Sequence, residues 1–125
     1  MTVVLVLCSV LALVLVLAGI YALIEPHRLA HLYGVPIEGA AAAGFVRATG
    51  IRDLVFGFAL GAAAYFRETP LLVVLAAAGI LLSLADFGIT YHAGGKQLRA
   101  VHGFHASGII AFVLVLTMIL FIFGR

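Results

Sequence analysis

A handful of ionisable residues stand in stretches otherwise apolar enough to lie in a membrane. Asp53 follows Arg47 and Arg52 in Gly44–Gly61, GFVRATGIRDLVFGFALG, and Asp86 comes late in the next apolar run. His102 and His105 open the last run, while Glu25 and His92 close earlier ones. An ionisable group at bilayer depth costs a few kcal/mol by insertion scales, so a chain keeps one only where it meets a partner, a cavity or a wet site.

Asp53 and Asp86 have the chemistry of proton-transfer groups. Desolvation and a neighbouring guanidinium pull a carboxyl in opposite directions, and the balance decides whether it gives or takes a proton. Arg47 and Arg52 would set that balance or hold an oxyanion, and His102 or His105 would relay protons. Glu25 and His92 border the same region. The same charges would serve as well in a structural Arg–Asp clamp, Arg47 or Arg52 with Asp86, tying two helices together.

A metal is the competing use of the histidines. The spacing His102-x-x-His105 puts two imidazoles about 60° apart on one helix, and Asp86 or His92 could complete a ligand set. No second such motif occurs, so no metal is assigned and the acid/base reading calls for no cofactor. Cys8 is the sole cysteine, which excludes an intrachain disulfide and a thiolate cage. Among Val, Leu and Ser it reads as a small packing residue.

Four apolar segments must position these groups. The chain is 66% hydrophobic and 10% charged over 125 residues, with a mean hydropathy of +1.31, far from a soluble domain. Seven basic and five acidic residues form no basic stripe, and no nucleic-acid footprint is present. The pattern predicts an all-α integral membrane protein, multi-pass, forming one domain over 1–125. Its spans fall at about 3–24, 41–66, 71–92 and 101–123, long enough for a hydrocarbon core of ~30 Å. The first run lacks a basic leader and is too long for a signal peptide, so it reads as a retained span.

Between spans one and two, residues about 26–36 (PHRLAHLYGVP) predict a short amphipathic helix in the headgroup layer. Leu29, Leu32 and Tyr33 share one face, and His27, Arg28 and His31 the other. The exposed face suits solvent or lipid headgroups. Tyr21, Tyr33, Tyr65 and Tyr91 fall near the interfaces, as an aromatic belt would. Short connections make the four spans an antiparallel bundle. Side A holds Met1, the Arg67-Glu68 turn and Arg125; side B holds Glu25, the amphipathic segment and the Gly94–Arg99 turn. Loop charges favour side B as cytoplasmic by a narrow margin.

Depth brings the polar groups together. Span two enters from side B, so Arg47 lies about one and a half turns in and Arg52-Asp53 near the middle. Asp86 is about 9 Å short of the side B end of span three, with His102 at the rim of span four and His105 one turn deeper. Nearly every intramembrane charge thus falls in the side B half. On span two, Gly50, Asp53, Gly57 and Gly61 share a face with Arg47 at its edge, while Arg52 is expected to point away. On span three, Gly79, Ser83, Asp86 and Thr90 form a polar stripe. Gly57-x-x-x-Gly61, Gly79-x-x-x-Ser83 and Gly103-x-x-x-Ser107 would let helices approach closely.

Phe45-Val46-Arg47, then Gly50-Ile51-Arg52-Asp53 and Gly57, resemble the signature of a family of small four-helix integral membrane proteins of unknown function, in the DoxX-like neighbourhood. Pro26, Asp86 and the Gly-rich turn before His102 fit it too. The resemblance implies the four-helix fold and carries no activity or catalytic role. DoxX-like relatives are associated with quinone-linked redox subunits.

From the residues themselves, the expected function is a pocket open toward side B. It would take a small lipophilic molecule from the bilayer and perform isomerase, cyclase or epoxide-opening chemistry. Two readings stand beside it: a proton-coupled transporter built from several copies, and a non-catalytic accessory membrane subunit of a quinone-linked redox complex, as the DoxX-like resemblance would imply. Membrane lipids and further copies of the chain are the other partners expected.

Overall fold

The computed structural model describes residues 1–93 and 99–123, with side chains at 1–93 and 105–122. Among these the chain is all-helical: α1 Thr2–Ile24, α2 Pro26–Leu32, α3 Gly39–Tyr65, α4 Thr69–Ala93 and α5 Arg99–Phe123. The four long helices begin and end within two residues of the apolar segments, and α2 is shorter than its predicted stretch. The predicted Gly94–Arg99 turn, nearly all of it, and the side chain of His102 lie outside the described residues.

Among the described residues, three helices are long and apolar enough to cross a membrane: α1, α4 and the His105–Ile122 part of α5. The 27-residue α3 is longer still, but Arg47, Arg52 and Asp53 dilute its apolar character. Length and composition alone therefore support a membrane protein with three candidate spans.

Proline and backbone caps set the connections. Pro26 opens α2, where a missing N–H costs nothing. Gly34, at φ 73°, closes α2: its N–H reaches His31 O, and Val35 N–H reaches Ala30 O at 3.0 Å. That is a Schellman cap, and it needs a left-handed residue where glycine sits without strain. The same device ends α3, with Glu68 N–H on Ala63 O at 2.9 Å, but here the left-handed residue is Arg67 at φ 58°. On α2, Pro26, Leu29 and Ala30 are buried and His27, Arg28 and His31 exposed, as its pattern requires. Leu32 is the exception at 61% exposed, on the rim of the predicted apolar face.

The helices associate as two pairs. On α1 and α3 the contacts run in opposite directions along the chain: Ala12 meets Gly57 and Gly61, and Gly19 and Ala22 meet Gly50. A Cβ on Gly19 would stand 2.6 Å from Gly50 O, and one on Gly50 would stand 2.5 Å from the Ala22 Cβ. The seam therefore exists only because both positions lack side chains, which is how helices gain contact where lipid offers no hydrophobic drive. In α4 and α5, Gly79 lies against the Phe112 ring and Ser83 against Gly108, again antiparallel.

The two pairs meet in a core at side A. Val4, Cys8 and Ala12 pack with Leu60, Ala63, Ala64, Leu72, Ala76, Phe112, Val115 and Ile119. Those residues start α1 and α4 and finish α3 and α5. The large apolar side chains on the outer faces, such as Val6, Leu13, Leu17, Phe58 and Leu81, remain exposed. Toward side B the pairs part.

Candidate functional site

The gap between the pairs is a cavity of about 570 Å³. Its walls come from α1 (Leu15, Ala18, Ala22), α3 (Thr49, Gly50, Arg52, Asp53, Phe56), α4 (Ser83, Asp86, Thr90) and α5 (His105, Ser107, Gly108, Phe112). Leu29, Ala30 and Tyr33 of α2 and its cap cover part of it. Phe56 and Phe112, edge to face with centroids 6.0 Å apart, stand where the cavity meets the side A core. That volume lies within the range of small-molecule pockets, roughly 300–1,000 Å³.

One charged cluster lies in this mostly apolar wall. Arg52 donates from Nη1 to Asp86 Oδ1 at 3.2 Å and from Nη2 to Asp86 Oδ2 at 2.7 Å, a two-pronged pair between α3 and α4. It also donates from Nε and Nη2 to Asp53 Oδ1, at 3.1 and 3.0 Å. All but one of its N–H groups are thereby used. The Asp53 and Asp86 side chains are 18% and 28% exposed and Arg52 35%, so the cluster is half-buried and open to the cavity. Thr90 donates to the Asp86 backbone carbonyl at 2.8 Å, a bond within α4 that leaves both carboxylate oxygens to Arg52.

The expectation that Arg52 points away from Asp53 is overturned. Its Cα does sit around the helix, but a long guanidinium stem sweeps back across the neighbouring residue, and two carboxylates draw it there. Helical-wheel angles place Cβ atoms and not the ends of arginines. The face drawn through Gly50, Asp53, Gly57 and Gly61 also divides. Gly57 and Gly61 are taken up by α1, Gly50 stands between α1 and the cavity, and Asp53 turns to the cavity.

The polar stripe of α4 is present as expected, for Gly79, Ser83, Asp86 and Thr90 all line the cavity. His105 lines it too, only 8% exposed, with its ring 5.0 Å from that of Tyr33. Three other expected participants stand elsewhere. Arg47 is exposed and donates from Nε to Leu23 O of α1 at 3.2 Å. Glu25 pairs with Arg28 at 3.6 Å on the surface. His92 is exposed beside Tyr91. Among the described residues no three His, Cys, Asp or Glu side chains gather as a metal site.

Tyr33, expected in the aromatic belt, is the main member of the site that sequence periodicity does not single out. Burial first, then the negative charges of Asp53 and Asp86, push its hydroxyl up to about 12, with Arg52 opposing. At neutral pH it is therefore an uncharged phenol near the carboxylates. A tyrosine one residue before a helix-closing glycine carries no periodic signal that distinguishes cavity from headgroup layer.

Among known proteins, a family model described as a domain of unknown function, DUF4267, matches residues 12–119. No curated protein and no solved structure matches the chain. The matched stretch takes in both helix pairs, the cap over the cavity and every charged group in its wall. The chain thus belongs to the DUF4267 family.

Proposed function

We propose that this is a four-span membrane protein whose side B cavity binds a small lipophilic molecule and acts on it by acid/base chemistry without a cofactor. The fourth span in this reading is α3. It packs along α1, and it neutralises part of its charge internally through the Arg52–Asp86 pair, which lowers the cost of carrying those groups across lipid. The single observation behind the functional reading is the seating of Arg52, Asp53 and Asp86 in the wall of an apolar cavity. A pure clamp would need no hollow beside it.

The chemistry divides between the residues. Asp53, with one oxygen uncommitted, is the proton acceptor or donor. Asp86 and Arg52 fix its charge state and orientation, and Tyr33 and His105 are the polar groups that would steady a developing charge. The exposed Val14 of α1 and Ser107 of α5 both border the cavity, which gives a lipophile a lateral approach from the bilayer. The isomerase, cyclase and epoxide-opening classes all fit a site of this kind.

A transporter reading has less behind it, because the side A core closes off the far end of the cavity. Flux of a loaded lipophile across proteoliposomes would favour transport. The enzymatic reading is tested by incubating the protein in nanodiscs with a total membrane lipid extract and following products by mass spectrometry. Conversion that is lost in both Asp53→Ala and Asp86→Ala supports it. Conversion unaltered in both variants removes it.

A further inference from the structure

The polarity of the cluster restricts what the cavity can hold. Ionised, Arg52, Asp53 and Asp86 together carry one negative charge in excess, and the guanidinium is committed to the two carboxylates. Among the described residues that line the cavity, Arg52 is the only arginine or lysine and His105 the only histidine. Arg47, the other arginine of α3, is exposed and bound to Leu23 O of α1. Asp53 Oδ2, in contrast, takes no hydrogen bond among the described residues, and Asp53 lines the cavity. The rest of the cavity wall is mostly apolar, with Ala18, Ala22 and Phe56, and its other polar groups include Ser83, Tyr33 and the His105 imidazole.

We propose that the ligand is a lipophilic amine, an apolar body whose cationic nitrogen rests on the uncommitted oxygen of Asp53. This builds on the reading of the cavity as a binding site and supplies the ligand's polar end. A cation there completes an alternating row of charges, amine, Asp53, Arg52 and Asp86, and brings the net charge to zero in a low-dielectric setting where an uncompensated charge is costly. A carboxylate or phosphate head would face the Asp53 carboxylate, and Arg52 has a single N–H left to offer it, the other four being taken by Asp53 and Asp86. A charge-assisted hydrogen bond corresponds to roughly tenfold or more in affinity.

The test compares dodecylamine with dodecanoate, matched in tail length, at neutral pH. Binding is measured to the protein in nanodiscs of zwitterionic lipid, with empty nanodiscs as the partition control. Dodecylamine is expected to bind about tenfold or more tightly than dodecanoate. The preference should vanish in Asp53→Asn and persist in Asp53→Glu. If Asp53→Asn does not fold, Asp86→Asn serves, since it also removes the excess charge. Dodecanoate binding as tightly as the amine overturns the proposal while leaving the cavity reading intact. A preference unchanged by Asp53→Asn overturns it too, because the selectivity would then lie on the membrane surface. Binding of neither probe sinks the cavity reading with it.

Discussion

Arg52 and Asp86 lie 34 residues apart in the chain and face each other as a two-pronged ion pair, 3.2 and 2.7 Å, across the seam between α3 and α4. That seam is the sparser kind of contact in this protein, because the two helix pairs meet mainly at side A. The ion pair is thus both a wall of the cavity and a tie holding the pairs at a set distance.

Removing one partner should be costly to that tie. Asp86→Ala leaves the guanidinium with Asp53 alone, and a loss of about 1–3 kcal/mol is expected, held to that range by the partial exposure of both groups. Thermal unfolding in a neutral detergent measures it. A double-mutant cycle with Arg52→Leu should return a coupling of at least ~0.5 kcal/mol, as contacting residues do. Additive losses would show that the pair does not act as one unit.

The α1–α3 seam makes a sharper steric statement. Gly50→Leu must drive the two helices apart, because even a Cβ would stand 2.5 Å from that of Ala22. Gly44, on the same helix, has open space where a Cβ would go, with nothing within 4 Å, so Gly44→Ala should be harmless. Expression and unfolding temperature are expected to fall for the first and hold for the second. Equal behaviour would mean that the seam is not where α1 and α3 meet.

Arg67 offers the opposite sign. Its left-handed backbone, φ 58°, costs a side-chain-bearing residue about 1 kcal/mol, and its position is the one that glycine fills at the end of α2. Arg67→Gly should therefore raise the unfolding temperature, and Arg67→Val should lower it.

Much of this is legible in the sequence, and its limits have physical causes. Apolar runs and punctuating prolines mark the helices, because lipid admits few other backbone arrangements. The depth count brings Asp53, Asp86 and His105 to one end, since rise per residue is nearly constant. Rotation is less secure. It misplaces Arg52, whose stem is long enough to cross a helix face. Arg47, Glu25 and His92 share the depth of the site without joining it, since each lies at a helix end or outer face and has nearer partners. Tyr33 is legible as interfacial, and only the folding of α2 over the cavity brings it beside His105.

Tyr33 also supplies a pH dependence. Its folded value of about 12 lies above the ordinary 10 for a tyrosine, so the neutral phenol is favoured on folding. The stability linked to it is present in full below pH 10 and is lost as pH rises toward 12. Phenolate absorbance across that window should show one late-titrating tyrosine, absent in Tyr33→Phe. In Asp53→Asn the transition should move down in pH, because one of the charges holding it up is gone. An ordinary titration for all four tyrosines would remove Tyr33 from the neighbourhood of the carboxylates.

The most direct measurement concerns whether the charged cluster and the apolar hollow form one binding site. Small molecules that co-purify with the protein from the same membranes are identified by mass spectrometry for wild type, Asp53→Ala and Ala111→Trp, the last growing a ring into the cavity. A lipophile held by wild type and lost from both folded variants is the expected result. The same small-molecule content in all three would contradict it.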